Sequence, residues 1–188
     1  MNITLPDGSV KKLEAGSTGF DLANDIGPGL AKAALAVSVN GIQKDLSDPI
    51  NEDSEVSIIT IDSDEGLEIM RHTLTAQVLA KAVKNLFPGT KLAIGPTIKD
   101  GFYYDFEFVK PISPDDLDKI EKEMHKIINS KSSITKKLHN KNDALKVFNS
   151  AGESYKESII EESEQETDFQ LYYQDDNAFV DLCRGPHL

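Results

Sequence analysis

Seven residues near the C-terminus, Asp181-Leu182-Cys183-Arg184-Gly185-Pro186-His187, put an acid, a thiol, a guanidinium and an imidazole at the end of an apolar run. Gly185-Pro186 supplies a turn that can fold His187 back toward Cys183. A thiol and an imidazole four apart can chelate a soft metal or serve as the polar groups of a hydrolytic pocket. A buried structural cysteine with a surface histidine is the plainer reading of the same residues. The chain has two arginines, Arg71 and Arg184, against eighteen lysines. Each adjoins a residue of interest, His72 or Cys183, and a guanidinium is the better bidentate partner for phosphate or carboxylate. His125, on a charged helical pattern, and His139, in a Lys-rich stretch, read as solvated surface groups. Lys156 lies among acids and, taken alone, reads as a surface lysine.

The elements that position these groups belong to a chain of 188 residues, 39% hydrophobic and 28% charged. That suits one large domain or two small ones and excludes a disordered tail. The longest apolar stretches, such as residues 33–39, fall short of the ~20 residues that span a bilayer. No basic segment followed by an apolar one opens the chain, so no signal peptide is expected. One cysteine cannot form an internal disulfide, and the expectation is a soluble cytoplasmic protein without membrane contact. The net charge of -12 disfavours nucleic acid overall, yet residues 66–150 carry 14 bases against 10 acids between acidic flanks. Such a centre could steer a polyanion locally, although on charge alone an ordinary solvated surface is the better reading.

Ile3 and Leu5, the turn Pro6-Asp7-Gly8, and Val10 and Leu13 predict a hairpin. Thr18 or Asp21 caps a short helix that Gly27-Pro28-Gly29 stops, and a second helical piece spans 30–35. Residues 36–39, the turn Asn40-Gly41 and the β-branched run 56–61 complete a small ubiquitin-like roll. The acidic stretch 62–66 marks the boundary, giving domains over 1–62 and 63–188. Leu67, Met70, Leu74, Val78, Val83 and Leu86 then trace a long amphipathic helix ended by Pro88-Gly89. Two strands follow, around 91–94 and 102–108. Ser113-Pro114-Asp115-Asp116 starts a helix. An edge strand near Ile134, helices over 141–149 and 153–162, and strands over 170–173 and 179–182 close an α+β domain, its long helix packed on an antiparallel sheet.

Several runs in order resemble the bacterial threonyl-tRNA synthetases. They are Arg71-His72-Thr73, Phe87-Pro88-Gly89-Thr90-Lys91, Ile94-Gly95-Pro96, residues 100–105, Gly152-Glu153-Ser154-Tyr155-Lys156 and residues 181–187. Pro6-Asp7-Gly8-Ser9 and Val39-Asn40-Gly41 resemble that family's TGS domain, a β-grasp fold. The resemblance implies an N-terminal TGS domain followed by an editing domain that hydrolyses serine mischarged onto threonine tRNA. A synthetic site excludes serine poorly, because a missing methyl is worth only ~1–3 kcal/mol. Catalytic positions fall on Lys156, His187, Asp181, Cys183 and His72, and substrate or tRNA contacts on Tyr104, Arg184, Gln77 and Thr73. The implied partner is the acceptor end of threonine tRNA.

The family's His-x-x-x-His puts two imidazoles on one helix face, since a four-residue step leaves ~40° between them. Here His72 and Gln77 are five apart, a step of ~140° on a regular helix. Counted back from Pro88 without a gap, Thr73 and Gln77 hold the two histidine positions and His72 falls one residue early, near the cap. Either a π-bulge restores His72, or both helical imidazoles are lost and editing is weakened. No metal or cofactor is expected in this stretch, with a zinc on Cys183 and His187 as the alternative. ATP, zinc and the aminoacylation core are expected beyond it. The full enzyme is expected to be a homodimer and this stretch alone a monomer. The rival reading is a module that binds the tRNA acceptor without hydrolysis.

Overall fold

The computed structural model describes every residue except Asp176. The chain divides into one unit of Met1–Arg71 with Gly185–Leu188, and a second of His72–Arg184.

In the first unit, β1 (Asn2–Thr4) and β2 (Val10–Lys12) form an antiparallel hairpin. Its turn is held by the Asp7 carboxylate, which accepts from the Ser9 N–H and hydroxyl. Helix α1 (Gly19–Ile26) starts on a reciprocal capping box between Thr18 and Asp21. Pro28 occupies the first turn of α2 (Pro28–Ala33), where its fixed φ starts a helix rather than stopping one. The helical piece expected over 30–35 therefore begins earlier, and it ends where Ala34 is drawn into pairing with Thr60. Strands β3 (Ala34–Val39) and β4 (Ile42–Asp45) turn through Asn40 and Gly41, both at positive φ, as a two-residue hairpin requires. Strand β5 (Ser54–Thr60) enters the middle of the sheet β2-β1-β5-β3-β4, parallel to β1 and antiparallel to β3. Ile3, Leu22, Val37, Val39, Ile50 and Val56 make the core of this β-grasp roll.

Helix α3 (Asp64–Thr73) opens against this unit. Gly66 lies so close to the Thr60 carbonyl that no Cβ would fit, and Ile69 packs on Ala36 and Ile59. Those contacts place the acidic stretch 62–66 inside the first unit.

The helix continues as a π segment (Leu74–Leu79) and then as α4 (Ala80–Leu86). Val78, Ala82 and Val83 pack on Ile120 and Ile127 of α5 (Pro114–Ser130). Ser113 caps α5 with Asp116 in a capping box. Hydrogen bonds from Lys119 and from the Ser113 backbone and hydroxyl hold the Asp116 carboxyl down to about 2. The strands expected over 91–94 and 102–108 are shorter and doubled. Strand β6 (Lys91–Leu92) pairs with β9 (Phe106–Glu107), and β7 (Thr97–Ile98) pairs with β8 (Gly101–Phe102). Strands β10 (Thr135–His139), β11 (Phe169–Gln174) and β12 (Phe179–Leu182) form an antiparallel sheet. Helices α6 (Lys141–Ala151) and α7 (Ser154–Glu162) cover one face of it through Ala144, Phe148 and Ile160. No helix among the described residues is long and apolar enough to cross a membrane.

Candidate active site

Strand alternation separates the core from the chemistry. Leu171, Tyr173, Val180 and Leu182 face α6 and α7. Tyr172 and Gln174 stand opposite Asp181 and Phe179 in register, and cross-strand partners share a face. Cys183, two residues beyond Asp181, continues that face, and its N–H donates to the Gln170 carbonyl.

Across from this face runs the π segment, in which the Ala80 N–H donates to the Thr75 carbonyl five residues back. A π turn takes up one extra residue, so a five-residue step across it covers roughly the ~40° that four residues leave on an α-helix. The separation of faces expected for a regular helix does not arise. His72 is also not near a cap, being the penultimate residue of α3. Its Nε2 stands 2.6 Å from Cys183 Sγ. Thr73 and Gln77 are both buried.

Lys156 projects from the first turns of α7 and pairs with Asp181 at 2.8 Å, the two side chains 6% and 2% exposed. The surface lysine that composition suggests is thus the cation of a buried ion pair. The motif around it is legible in physical terms. Gly152 adopts the left-handed conformation that ends α6. The Glu153 carboxylate accepts from Lys84 of α4 and from the Leu92 N–H of β6. Tyr155 donates to Glu107. These ties fix the start of α7, and with it Lys156.

Tyr104 stacks on Phe106 with ring centroids 4.4 Å apart. Its ring lies against Gly95, where a Cβ would sit 2.2 Å from Cδ2. Its buried hydroxyl makes no well-formed hydrogen bond among the described residues. Burial first, and then the negative charges of Asp181, Glu153 and Cys183, push that hydroxyl's pKa up. Tyr104 thus lies within electrostatic reach of Asp181 and Cys183. Arg184 is exposed. His187 is buried in the first unit, where its backbone N–H donates to Asp45 at 2.7 Å. His125 is exposed, whereas His139 is half-buried and meets the Tyr173 hydroxyl at 3.0 Å, so the solvated reading of His139 is corrected.

Sequence reasoning passed over Lys81, Glu153 and Gln174. Gln174 donates from Nε2 to both the backbone oxygen and Oε1 of Gln77, each at 2.8 Å, and accepts from Lys81 at 3.2 Å. Lys81 also pairs with Asp175. No signal in the sequence marks these partners, because they lie more than sixty residues apart. His72 and Cys183 offer one nitrogen and one sulfur, donors that suit zinc. Gln77 has its Oε1 engaged by Gln174 and adds no further donor.

The TGS domain family matches residues 1–60. The chain is 47% identical over 186 residues, 99% of its length, to the threonine-tRNA ligase of Rhodospirillum rubrum, covering 28% of that protein. It is 49% identical over 187 residues to that of Paramagnetospirillum magneticum and 48% identical over 187 residues to that of Legionella pneumophila, covering 29% of each. The chain spans less than a third of the length of these curated relatives. The chain thus has a TGS domain over its first 60 residues and is similar, along nearly all of its length, to part of the threonine-tRNA ligases.

Proposed function

We propose that the second unit is an editing hydrolase that releases serine from tRNA mischarged for threonine, in the cytoplasm. The observation that carries the reading is the convergence within one unit of His72 on Cys183, Lys156 on Asp181, and the buried Tyr104 hydroxyl near both pairs. Water adds to the ester carbonyl and gives its proton to an imidazole. The proton returns to the ribose oxygen as the acyl C–O bond breaks, leaving serine and uncharged tRNA. His72, held against Cys183 within the second unit, is the imidazole proposed as base. The Lys156 ammonium, shielded from water, stabilises the oxyanion. Asp181 suits the ammonium of the seryl group, Tyr104 walls the pocket, and exposed Arg184 suits backbone phosphates near the tRNA 3′ end. Thr73 and Gln77 lie on the helix that borders the substrate.

The presence of Gln77 in place of a second imidazole favours one rival, a module that holds the acceptor end without hydrolysis. The deciding measurement is release of serine from seryl-tRNA by the intact protein, by Lys156→Ala and by His72→Asn. Release by the intact protein, reduced in both variants, supports catalysis. Equal release at the uncatalysed level, with tRNA still bound, supports the rival. Metal analysis of the same protein, purified without added zinc, is expected to give a stoichiometry near zero; one zinc per chain would favour the metal-dependent alternative.

A further inference from the structure

Lys81, Gln174 and Gln77 form a buried chain of hydrogen bonds whose direction is fixed from one end. The Lys81 ammonium can only donate. It donates to Gln174 Oε1 and to the Asp175 carboxylate, with its side chain 5% exposed. The Gln174 amide is thereby oriented with Nε2 toward Gln77, where it donates to the backbone oxygen and to Oε1. The Gln77 amide is oriented in turn, with its oxygen occupied and its Nε2 left over. That nitrogen is fully buried and finds no acceptor among the described residues. Buried amide donors are nearly always satisfied, so this one awaits an acceptor.

Its position points to the acceptor's source. The π turn sets Gln77 one turn beyond His72 on the same helix face. Gln174 stands opposite Phe179 on the sheet face that carries Asp181 and Cys183. We propose that Lys81 and Gln174 are positioning residues that hold the Gln77 amide as a hydrogen-bond donor to an oxygen of the aminoacyl ester bound in the site. This rests on the deacylase reading above. The extra residue that displaces the family's helical spacing and the glutamine that replaces its imidazole then form one device, a neutral donor whose direction is set by a buried ammonium.

The test compares wild type with Gln77→Met, Lys81→Met and Lys81→Arg. The first measurement is serine release from seryl-tRNA. The second is binding of a non-hydrolysable probe, adenosine carrying a seryl group through a 3′-amide. Loss of one such hydrogen bond is expected to lower kcat/KM and probe affinity about 10-fold or more in Gln77→Met and Lys81→Met. Lys81→Arg, which also only donates, should return both to within about twofold of wild type. A purely structural Lys81 would instead change the unfolding midpoint while leaving kcat, KM and probe affinity at wild-type values in the folded protein. Wild-type rates and affinity in folded Gln77→Met, or in Lys81→Met, would overturn the proposal. If wild type binds the probe but releases no serine, the deacylase reading fails while the probe affinities of the variants still decide the role of Gln77. If wild type does not bind the probe, the inference is overturned.

Discussion

At the scale of single residues, the buried pair of Lys156 and Asp181 is the most consequential contact in the second unit, and its energetics are asymmetric. Two charges held 2.8 Å apart at 6% and 2% exposure have each given up hydration. Removing one leaves the other uncompensated at a cost of about 3–5 kcal/mol, whereas replacing both by apolar groups of similar size is often near neutral. Lys156→Met and Asp181→Leu are therefore each expected to lower unfolding free energy by about that much, and the double variant to recover most of it. Denaturant unfolding of the three proteins checks this; additive losses would show that the ions do not act as a pair. Gly95 allows a sharper geometric test. A Cβ there would lie 2.2 Å from the Tyr104 ring, and the ring, stacked on Phe106, cannot yield by a simple rotation. Gly95→Ala is expected to cost about 1–3 kcal/mol by overpacking. On the proposed deacylase reading it should also slow serine release, because Tyr104 is pushed away from Asp181 and Cys183. Unchanged stability and unchanged release would both contradict this.

At the scale of elements, the π segment decides whether His72 belongs to the site. Deleting Thr75 should convert the segment to α-helix with four residues between equivalent positions, keeping His72 and Gln77 on one face. Deleting Ala82 from α4 instead rotates every following helical residue by ~100° and pulls Val83 and Leu86 off α5. The first deletion is expected to leave a cooperative unfolding transition within about 1–2 kcal/mol of wild type, and the second to cost more than about 3 kcal/mol. Urea melts followed by far-UV circular dichroism separate them, and equal damage from both would show that the π turn is not a tolerated insertion. The same contrast explains what could be read in advance. The caps at Thr18 and Ser113, the turn at Asn40-Gly41 and strands β11 and β12 depend on neighbours a few residues away, and the sequence carries those signals openly. The extra residue in the long helix was legible as a mismatch in spacing, while its resolution depended on how the helix meets β11. The burial of Lys156, the tie from Glu153 to Leu92 and the amide chain from Lys81 to Gln77 depend on partners tens of residues distant. In a linear reading such groups look like ordinary surface polarity.

At the scale of the whole molecule, the net charge of -12 constrains how a polyanion could be held. A chain of this charge offers tRNA no broad attractive field, so binding on the proposed reading must come from a few local cations, with exposed Arg184 the one nearest Cys183 in sequence. Each phosphate neutralised contributes about 0.7 to 0.9 to the slope of log affinity against log salt concentration. Two or three such contacts predict a slope of roughly -2, and about a 10- to 40-fold loss of affinity between 50 and 200 mM salt. Arg184→Ala is expected to make that slope shallower by about one contact while leaving the fold intact, because the side chain lies at the surface. Filter binding or fluorescence anisotropy with threonine tRNA across a salt series reads both quantities. A slope of -6 or steeper would mean an extended basic surface that the charge distribution does not provide. A slope unchanged by Arg184→Ala would remove the arginine from the contact with phosphate and leave the acceptor end to be recognised by the neutral and buried groups around Gln77, Tyr104 and Asp181.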